Sequence, residues 1–145
     1  MKTNELMIGD WVCHNDWPSI PIRICGISKR ISFEHSLLWN ENNRQYVRIE
    51  RYSECDYDEI MPIPITTEIL EKNGFTHSFG DSDFYDYEKW EKKVGDKTIR
   101  VIKDHDGWFC RVDDNKLTRS MGIAPAVHTI QNIIRTGGIE KTIEL

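Results

Sequence analysis

Several features are scarce or missing in this sequence of 145 residues, and each absence excludes a class of protein. No uninterrupted apolar run comes near the ~20 residues that a membrane-spanning helix needs. Gly and Pro are few, at nine and five residues, and 39% of the chain is hydrophobic, which is too apolar for a disordered chain. Residues 1–5 lead into a mixed polar segment without the apolar core of a signal peptide. The composition therefore predicts a soluble, cytoplasmic protein of one domain or two very small ones.

Positive charge is also in short supply, with 19 Lys and Arg against 24 Asp and Glu and a net charge of -5. Binding to phosphates requires Lys and Arg to replace counterions, so nucleic acid is not an expected partner. Two acidic clusters are interpreted as solvated loop faces, and a calcium site or a DNA-mimicking face is the alternative. They consist of Glu54, Asp56, Asp58 and Glu59, and of Asp81, Asp83, Asp86, Glu88 and Glu91.

Closely spaced cysteines are absent as well, since no two of the four lie closer than twelve positions. Zinc sites usually take their ligands from pairs separated by two to four residues. Cys13 and His14 are adjacent, but neighbours on a strand point to opposite faces. We therefore predict no metal and no cofactor, and expect reduced, mostly buried thiols. The other cysteines are Cys25, Cys55 and Cys110.

The first half of the chain has the pattern of a small β domain. Its apolar residues alternate most clearly over residues 20–27, where Gly26 marks a bend. Turn residues at 15–18 and at 40–43 separate the strands. Five short strands in about 60 residues predict a small SH3-like β-barrel over residues 1–65. The predicted strands are residues 6–13, 20–27, 31–39, 46–49 and 59–63.

The second half, residues 66–145, has the pattern of a mixed α+β region that packs as one compact unit. Thr66 as N-cap and Gly74 as stop predict a short helix over residues 66–73. An antiparallel β-meander follows, with a hairpin turn at Asp106-Gly107. Pro125 suits the first position of a helix over residues 125–136, and a final short strand is expected at 139–145. The predicted meander strands are residues 76–79, 85–94, 98–102 and 108–112. The predicted fold class is therefore α+β.

Three segments at the beginning, middle and end of the chain resemble one known group of proteins. They read NELMIGDWV at residues 4–12, PIPITTEILEKNGF at residues 62–75, and VHTIQ at residues 127–131 followed by GIEKTIEL at residues 138–145. Together they resemble a family of small uncharacterised proteins found in gut-bacterial genomes, their prophages and other mobile elements. The resemblance implies a prophage or mobile-element setting, and it brings neither an assigned activity nor catalytic residues.

No catalytic motif can be recognised, so we predict a protein without enzymatic activity. Five His are present, but no nucleophile elbow and no Cys-His signature accompanies them. The glycines are isolated or follow a helix, so no phosphate loop is predicted. Residues 104–107 begin like a calcium loop, yet position twelve is Asn115 where a bidentate Glu is needed. A hairpin turn explains these residues better.

Aromatic and polar side chains are the candidates for partner contacts. Trp17 and Trp39 flank turns of the predicted barrel, where they either line a peptide-binding groove or fill the small core. His128, Gln131 and Arg135 share one side of the last helix at helical spacing. This polar stripe is either a contact surface or an ordinary solvated face.

The leading functional hypothesis is a non-enzymatic cytoplasmic interaction module that binds a host or phage protein. An alternative is a counter-defence protein that sequesters a small nucleotide, with four arginines as candidate phosphate contacts. Direct binding of nucleic acid through the barrel is a third hypothesis, which the acidic charge disfavours. The four candidate arginines are Arg100, Arg111, Arg119 and Arg135.

Overall fold

The computed structural model describes residues 6–28, 30–40, 45–81, 86–115, 117–140 and 143–145. In this part the chain is α+β, with two five-stranded antiparallel sheets and two α-helices. It divides into two compact units, Met1–Ile63 and Pro64–Leu145. The division predicted from the sequence lies after residue 65.

The first unit contains five antiparallel strands joined mostly by tight turns. Strand order across the sheet is β4-β3-β2-β1-β5, and a 3₁₀ turn at Tyr57–Glu59 leads into the last strand. The sequence therefore predicted the right number of strands, although β4 is longer than expected. The strands are β1 (Trp11–His14), β2 (Trp17–Ile27), β3 (Ile31–Asn40), β4 (Gln45–Cys55) and β5 (Ile60–Pro62).

The prediction of an SH3-like barrel is not confirmed, because this sheet is not closed. β1 pairs with β2 on one side and with β5 on the other, so β4 and β5 form the two edges of the described sheet. Alternation of apolar residues specifies strands and their inward faces, but closure depends on the curvature of the whole sheet. The core on the inward face comprises Leu6, Val12, Ile22, Ile24, Ile31, Phe33, Cys55 and Ile60.

Local turn and bend predictions in the first unit have mixed outcomes. Asn15 and Asp16 form the turn between β1 and β2, and Trp17 already belongs to β2. At Gly26 the pairing of β2 with β3 shifts, as the expected bend requires. A Cβ atom at Gly26 would lie 3.2 Å from the Cβ of Ser32, so the close approach of β3 favours glycine. Most of the turn predicted at 40–43 lies outside the described residues.

The second unit contains an antiparallel meander between two helices, as predicted. The fifth meander strand, Thr118–Ile123, was not predicted, and the last helix begins at Val127 with Ala126 as N-cap, two residues later than the predicted start at Pro125. Its strand order is β10-β9-β8-β7-β6, so each strand pairs with its neighbour in sequence. Neither helix in the described ranges is long and apolar enough to cross a membrane. The elements are α1 (Thr67–Lys72), β6 (Thr76–Asp81), β7 (Asp86–Val94), β8 (Lys97–Asp104), β9 (Gly107–Asp113), β10 (Thr118–Ile123) and α2 (Val127–Thr136).

Two local signals in this unit are confirmed at the level of single hydrogen bonds. The Thr66 hydroxyl accepts a hydrogen bond from the Ile69 amide at 3.3 Å and caps α1. A hairpin joins β8 and β9 as expected, but its two-residue turn is His105-Asp106, one position before the predicted Asp106-Gly107, since Asp104 pairs with Gly107. The Asp104 carboxylate accepts from the amides of Asp106 and Gly107, and Gly107 has φ +126°. Turn chemistry therefore fixes both features locally.

Helix α2 packs against one face of the meander, where β9 and β10 carry small or apolar residues. The Ser120 hydroxyl donates to the carbonyl of Ile133 at 2.5 Å, and a Cβ atom at Gly122 would lie 3.4 Å from Ile133. At the end of α2, a Cβ atom at Gly137 would lie only 2.6 Å from the Cβ of Val112. Small residues thus allow the helix to approach the sheet closely.

The final strand predicted at 139–145 is wrong for the described part of that segment, which has no strand. Lys141 and Thr142 lie outside the described residues. The Asn73 side chain takes the place of a pairing strand: it donates to the carbonyl of Glu144 at 2.7 Å and accepts from its amide at 2.8 Å. Ile143 beside it is buried. A side-chain amide therefore provides two hydrogen bonds that the sequence pattern assigned to a sheet.

Candidate functional site

The candidate site is the face of the second sheet that points away from α2, called here the distal face. Successive side chains of a strand point to opposite faces. Because Cys110 and Val112 lie on the face that α2 covers, Phe109, Arg111 and Asp113 lie on the distal face. Strand pairing then brings further side chains beside them in two rows, one apolar and one charged.

The apolar row crosses three strands and ends at the edge of the sheet. Ile102 of β8 pairs with Phe109 of β9, which pairs with Ile123 of β10. Ile123 is 79% exposed, and Met121, on the same strand and face, is 61% exposed. A shallow cleft of about 370 Å³ lies along the row and is also lined by Trp108. Large apolar side chains gathered at a sheet edge are typical of a surface that contacts another molecule.

The charged row lies beside the apolar row and is organised by Asp113. Its carboxylate accepts a hydrogen bond from Arg100, lies 2.8 Å from Nε of Arg111, and accepts from the Thr118 hydroxyl at 2.8 Å. Arg100 and Arg111 are direct partners across β8 and β9. Two like charges that face each other are therefore held together by one buried carboxylate.

Glu91 extends the charged row onto β7. It pairs with Arg100 across the strands and accepts a hydrogen bond from it, and Lys89 lies 3.1 Å from the same carboxylate. Partial burial raises the pKa of Glu91, but the hydrogen bonds from Arg100 and Lys89 outweigh this effect and leave the pKa below its usual value. The bond to Glu91 correspondingly raises the pKa of Arg100. Both groups are therefore charged at neutral pH.

A polar cleft of about 500 Å³ lies over this charged row and bears on the nucleotide hypothesis. Arg100 and Arg111 both line it, so two of the four candidate phosphate contacts do converge. Arg119 makes an ion pair with Asp114 at the rim of the same cleft. Arg135 is separate, because it belongs to α2 and hydrogen bonds to Asn132 on that helix at 3.4 Å.

The two tryptophans proposed as partner contacts lie in the first unit. Trp17 is 43% exposed at the start of β2, and its ring centroid lies 4.6 Å from that of His14. Trp39 belongs to β3 and pairs with Tyr46 of β4, but its side chain lies outside the described part of the chain. The proposed role of both residues stays a prediction.

The polar stripe predicted on the last helix is wrong in one respect, because two of its three residues are buried. His128 is 4% exposed and Gln131 is fully buried, and the Gln131 amide donates to the carbonyl of Ile143 at 3.5 Å. Only Arg135 is partly accessible. Burial leaves His128 and Gln131 without the exposed area that a partner contact would require.

Two clusters in the described part of the chain could hold a metal ion. One comprises Asp104, His105 and Asp106 on the exposed β8–β9 hairpin. There the Asp104 carboxylate already accepts two backbone amides of the turn, which accounts for its position. The other comprises His14, Cys55 and Glu59 in the first unit, whose ligand atoms all lie within 4.8 Å of one another. His14 lies 41 positions before Cys55, so ligand spacing in the sequence does not reveal this set of three.

The distal face was not anticipated from the sequence, although β10 carries a signal for it. Large side chains occupy the odd positions of this strand, whereas Ser120 and Gly122 at even positions are small. The small side faces α2, so Met121 and Ile123 point away from the core.

Models of protein families, curated proteins and solved structures were compared with the chain, and none matched.

Proposed function

We propose that the chain is a protein-binding module without turnover, and that its contact surface is the distal face along β10. The observation that carries this proposal is the apolar row of Ile102, Phe109 and Ile123, which ends on an edge strand beside exposed Met121. Given the resemblance of the sequence to proteins of prophages and mobile elements, the expected partner is a host or phage protein.

Physical chemistry supports a protein as the occupant of this surface. Removing apolar area from water contributes about 25 cal/mol per Å², so covering Met121 and Ile123 favours association. β10 pairs with β9 on one side only among the described strands. An extended segment of a partner can therefore add to its open edge through backbone hydrogen bonds. The adjacent charged row would set the register and orientation of that segment.

The test compares two substitutions that place a charge at equally exposed apolar positions on opposite edges of the sheet. Ile123→Lys changes β10, whereas Phe79→Lys changes β6, and these side chains are 79% and 77% exposed. Each tagged variant is used to isolate complexes from cells that encode the protein, and the eluates are analysed by native mass spectrometry. We expect a stoichiometric protein partner with wild type and Phe79→Lys, and its loss with Ile123→Lys.

Other outcomes contradict this proposal in distinguishable ways. A partner retained by Ile123→Lys would place the contact elsewhere, and a partner lost by both variants would remove the specific role of β10. Turnover of a substrate would contradict a purely binding role. A protein that elutes alone but heavier than its sequence mass by the mass of a small molecule would favour a ligand-binding function instead.

Binding of a small phosphorylated ligand is the second candidate, favoured by the position of Arg100 and Arg111 in one polar cleft. Both arginines interact with Asp113, so a ligand phosphate would have to compete with that carboxylate. A panel of nucleotides tested by thermal shift addresses it, because a ligand at 100 times its Kd contributes about 2.7 kcal/mol of stability. Absence of stabilisation, or equal stabilisation of Arg111→Leu, would exclude this cleft as the binding site.

A further inference from the structure

The first unit brings together three side chains of different chemistry from distant parts of the sequence. His14 ends β1, Cys55 ends β4, and Glu59 closes the 3₁₀ turn just before β5. Pairing of His14 with Ile60 places β1 directly beside the residue that follows Glu59. The imidazole, thiol and carboxylate ligand atoms lie within 4.8 Å of one another.

We propose that His14, Cys55 and Glu59 form a binding site for Zn²⁺. A nitrogen, a sulfur and an oxygen ligand together suit a borderline metal ion, whereas Mg²⁺ and Ca²⁺ prefer oxygen ligands alone. Three protein ligands leave the fourth tetrahedral position to water, as in open zinc sites. Water can reach the fourth position from the side of Glu59, which is exposed to solvent. The other two ligands, His14 and Cys55, are buried.

The distances allow an ion to be accommodated with a small movement of side chains. Zinc lies about 2.0–2.3 Å from its ligand atoms, so two ligands of a tetrahedral site lie roughly 3.3–3.7 Å apart. Since all three ligand atoms lie within 4.8 Å of one another, coordination requires a shift of at most about 1 Å, and Glu59 is the ligand that is exposed to solvent. His14 is the more fixed ligand, since its ring lies 4.6 Å from that of Trp17 and 6.2 Å from that of Phe33.

A backbone group already orients one of the ligands. The Asp56 amide donates to one oxygen of the Glu59 carboxylate at 2.7 Å, which leaves the other oxygen for an ion. Contacts of this kind hold metal ligands in place, and their removal commonly weakens metal affinity. The Asp16 amide donates to Nδ1 of His14 at 3.2 Å, so coordination through Nε2 requires the ring proton to move to Nδ1 and this contact to break.

Binding of Zn²⁺ to Cys55 changes the protonation state of the thiol, and this change can be measured. A thiol without a bound metal has an ordinary pKa of about 8.5 and is therefore mostly protonated at neutral pH. On binding, the S–H bond breaks, a sulfur–zinc bond forms and one proton is released to solvent.

The experiment uses the untagged full-length protein, stripped with a chelator, with Co²⁺ as a spectroscopic probe and Zn²⁺ as competitor. We expect one equivalent of Co²⁺ to bind with a thiolate-to-cobalt charge-transfer absorption. Zn²⁺ should abolish this absorption and release about one proton in a weakly buffered solution. Failure of both ions to bind at micromolar concentration would overturn the proposal.

Three variants separate this site from adventitious binding. Cys55→Ser should remove the charge-transfer absorption, whereas Cys13→Ser, a matched change at another buried cysteine, should retain it. Glu59→Gln changes a solvent-accessible ligand with little risk to the core and should weaken Zn²⁺ binding about tenfold or more. An absorption that persists in Cys55→Ser, or affinity unchanged in Glu59→Gln, would show that the ion binds elsewhere.

Discussion

The carboxylate of Asp113 offers the sharpest test of how the distal face is held together. Replacement by Asn keeps the size of the side chain and removes the charge that lies between Arg100 and Arg111. Breaking a buried ion pair by removing one partner costs about 3–5 kcal/mol. Because the two guanidinium groups are partly hydrated, with side chains 29% and 39% exposed, we expect the lower end, about 3 kcal/mol.

Like-charge repulsion contributes part of this loss and can be measured separately. Both guanidinium groups contact the same Oδ2 atom of Asp113, so their charges lie close enough to repel each other once that carboxylate is neutralised. Salt screens such pairs, since the Debye length is about 10 Å at 0.1 M. Asp113→Asn should therefore recover some stability in high salt, and an added Arg111→Leu substitution should restore more of it by removing one of the two charges.

The assay is urea unfolding of the full-length protein, combined with hydrogen exchange and mass spectrometry of peptides from β8 and β9. A loss of about 3 kcal/mol corresponds to a Tm lower by on the order of 10 °C if the chain unfolds together. The control is Asp106→Asn, which removes the same charge from a side chain that is 83% exposed. Equal stability of the two variants, or a loss that salt does not change, would refute this account of the charged row.

Two further predictions concern the same sheet and its helix. Glu91→Gln should be less stable than wild type at neutral pH, and the difference should vanish on acidification, as measured by urea unfolding at several pH values. The sign follows because the folded-state pKa of Glu91 is lowered, so its contribution is present above the unfolded value of about 4.3 and is lost as pH falls through the folded value. Gly137→Ala should lower stability by about 1–3 kcal/mol, because the new Cβ would meet Val112 at 2.6 Å. Since Gly137 has φ -73°, backbone strain is not involved, and a stability unchanged in thermal unfolding would mean that α2 does not pack so closely.

Features governed by neighbouring residues could be predicted from the sequence. The Thr66 cap and the Asp104–Gly107 hairpin depend on hydrogen bonds that span two or three residues. The alternation predicted over residues 20–27 agrees with the burial of Ile22 and Ile24 in β2. The open form of the first sheet could not be predicted in this way, because closure into a barrel depends on whether distant edges meet.

The buried side of α2 shows how the identity of a residue can obscure its position. Counting from Val127, the helical spacing of three, four and seven residues gives Ile130, Gln131 and Ile134, and all four are buried. Gln131 was assigned to the outer side because its amide is polar, although its position is central to the buried stripe. A hydrogen bond to the Ile143 carbonyl makes this burial acceptable.

The two candidate sites could not be predicted from the sequence, for a different reason. The distal face follows from which side of the sheet α2 covers, and strand patterns alone do not specify that choice. The ligands His14 and Cys55 are 41 positions apart, so they meet only through the strand order of the first unit. Rules based on ligand spacing detect ligands that lie close together in the sequence. They do not detect ligands that come together only when distant strands pair.

The pairing of Asn73 with Glu144 makes residues 143–145 separable from the rest of the second unit. A strand in a sheet is released only when its ladder breaks, whereas two of the hydrogen bonds of this segment end on one side chain. We therefore expect a local opening of this segment that leaves the meander intact, with a free energy set by these two bonds, by the hydrogen bond from the Gln131 amide to the Ile143 carbonyl and by the burial of Ile143. A substitution of Asn73 would weaken this attachment, and it would also remove the hydrogen bond from the Asn73 amide to the Ile69 carbonyl of α1.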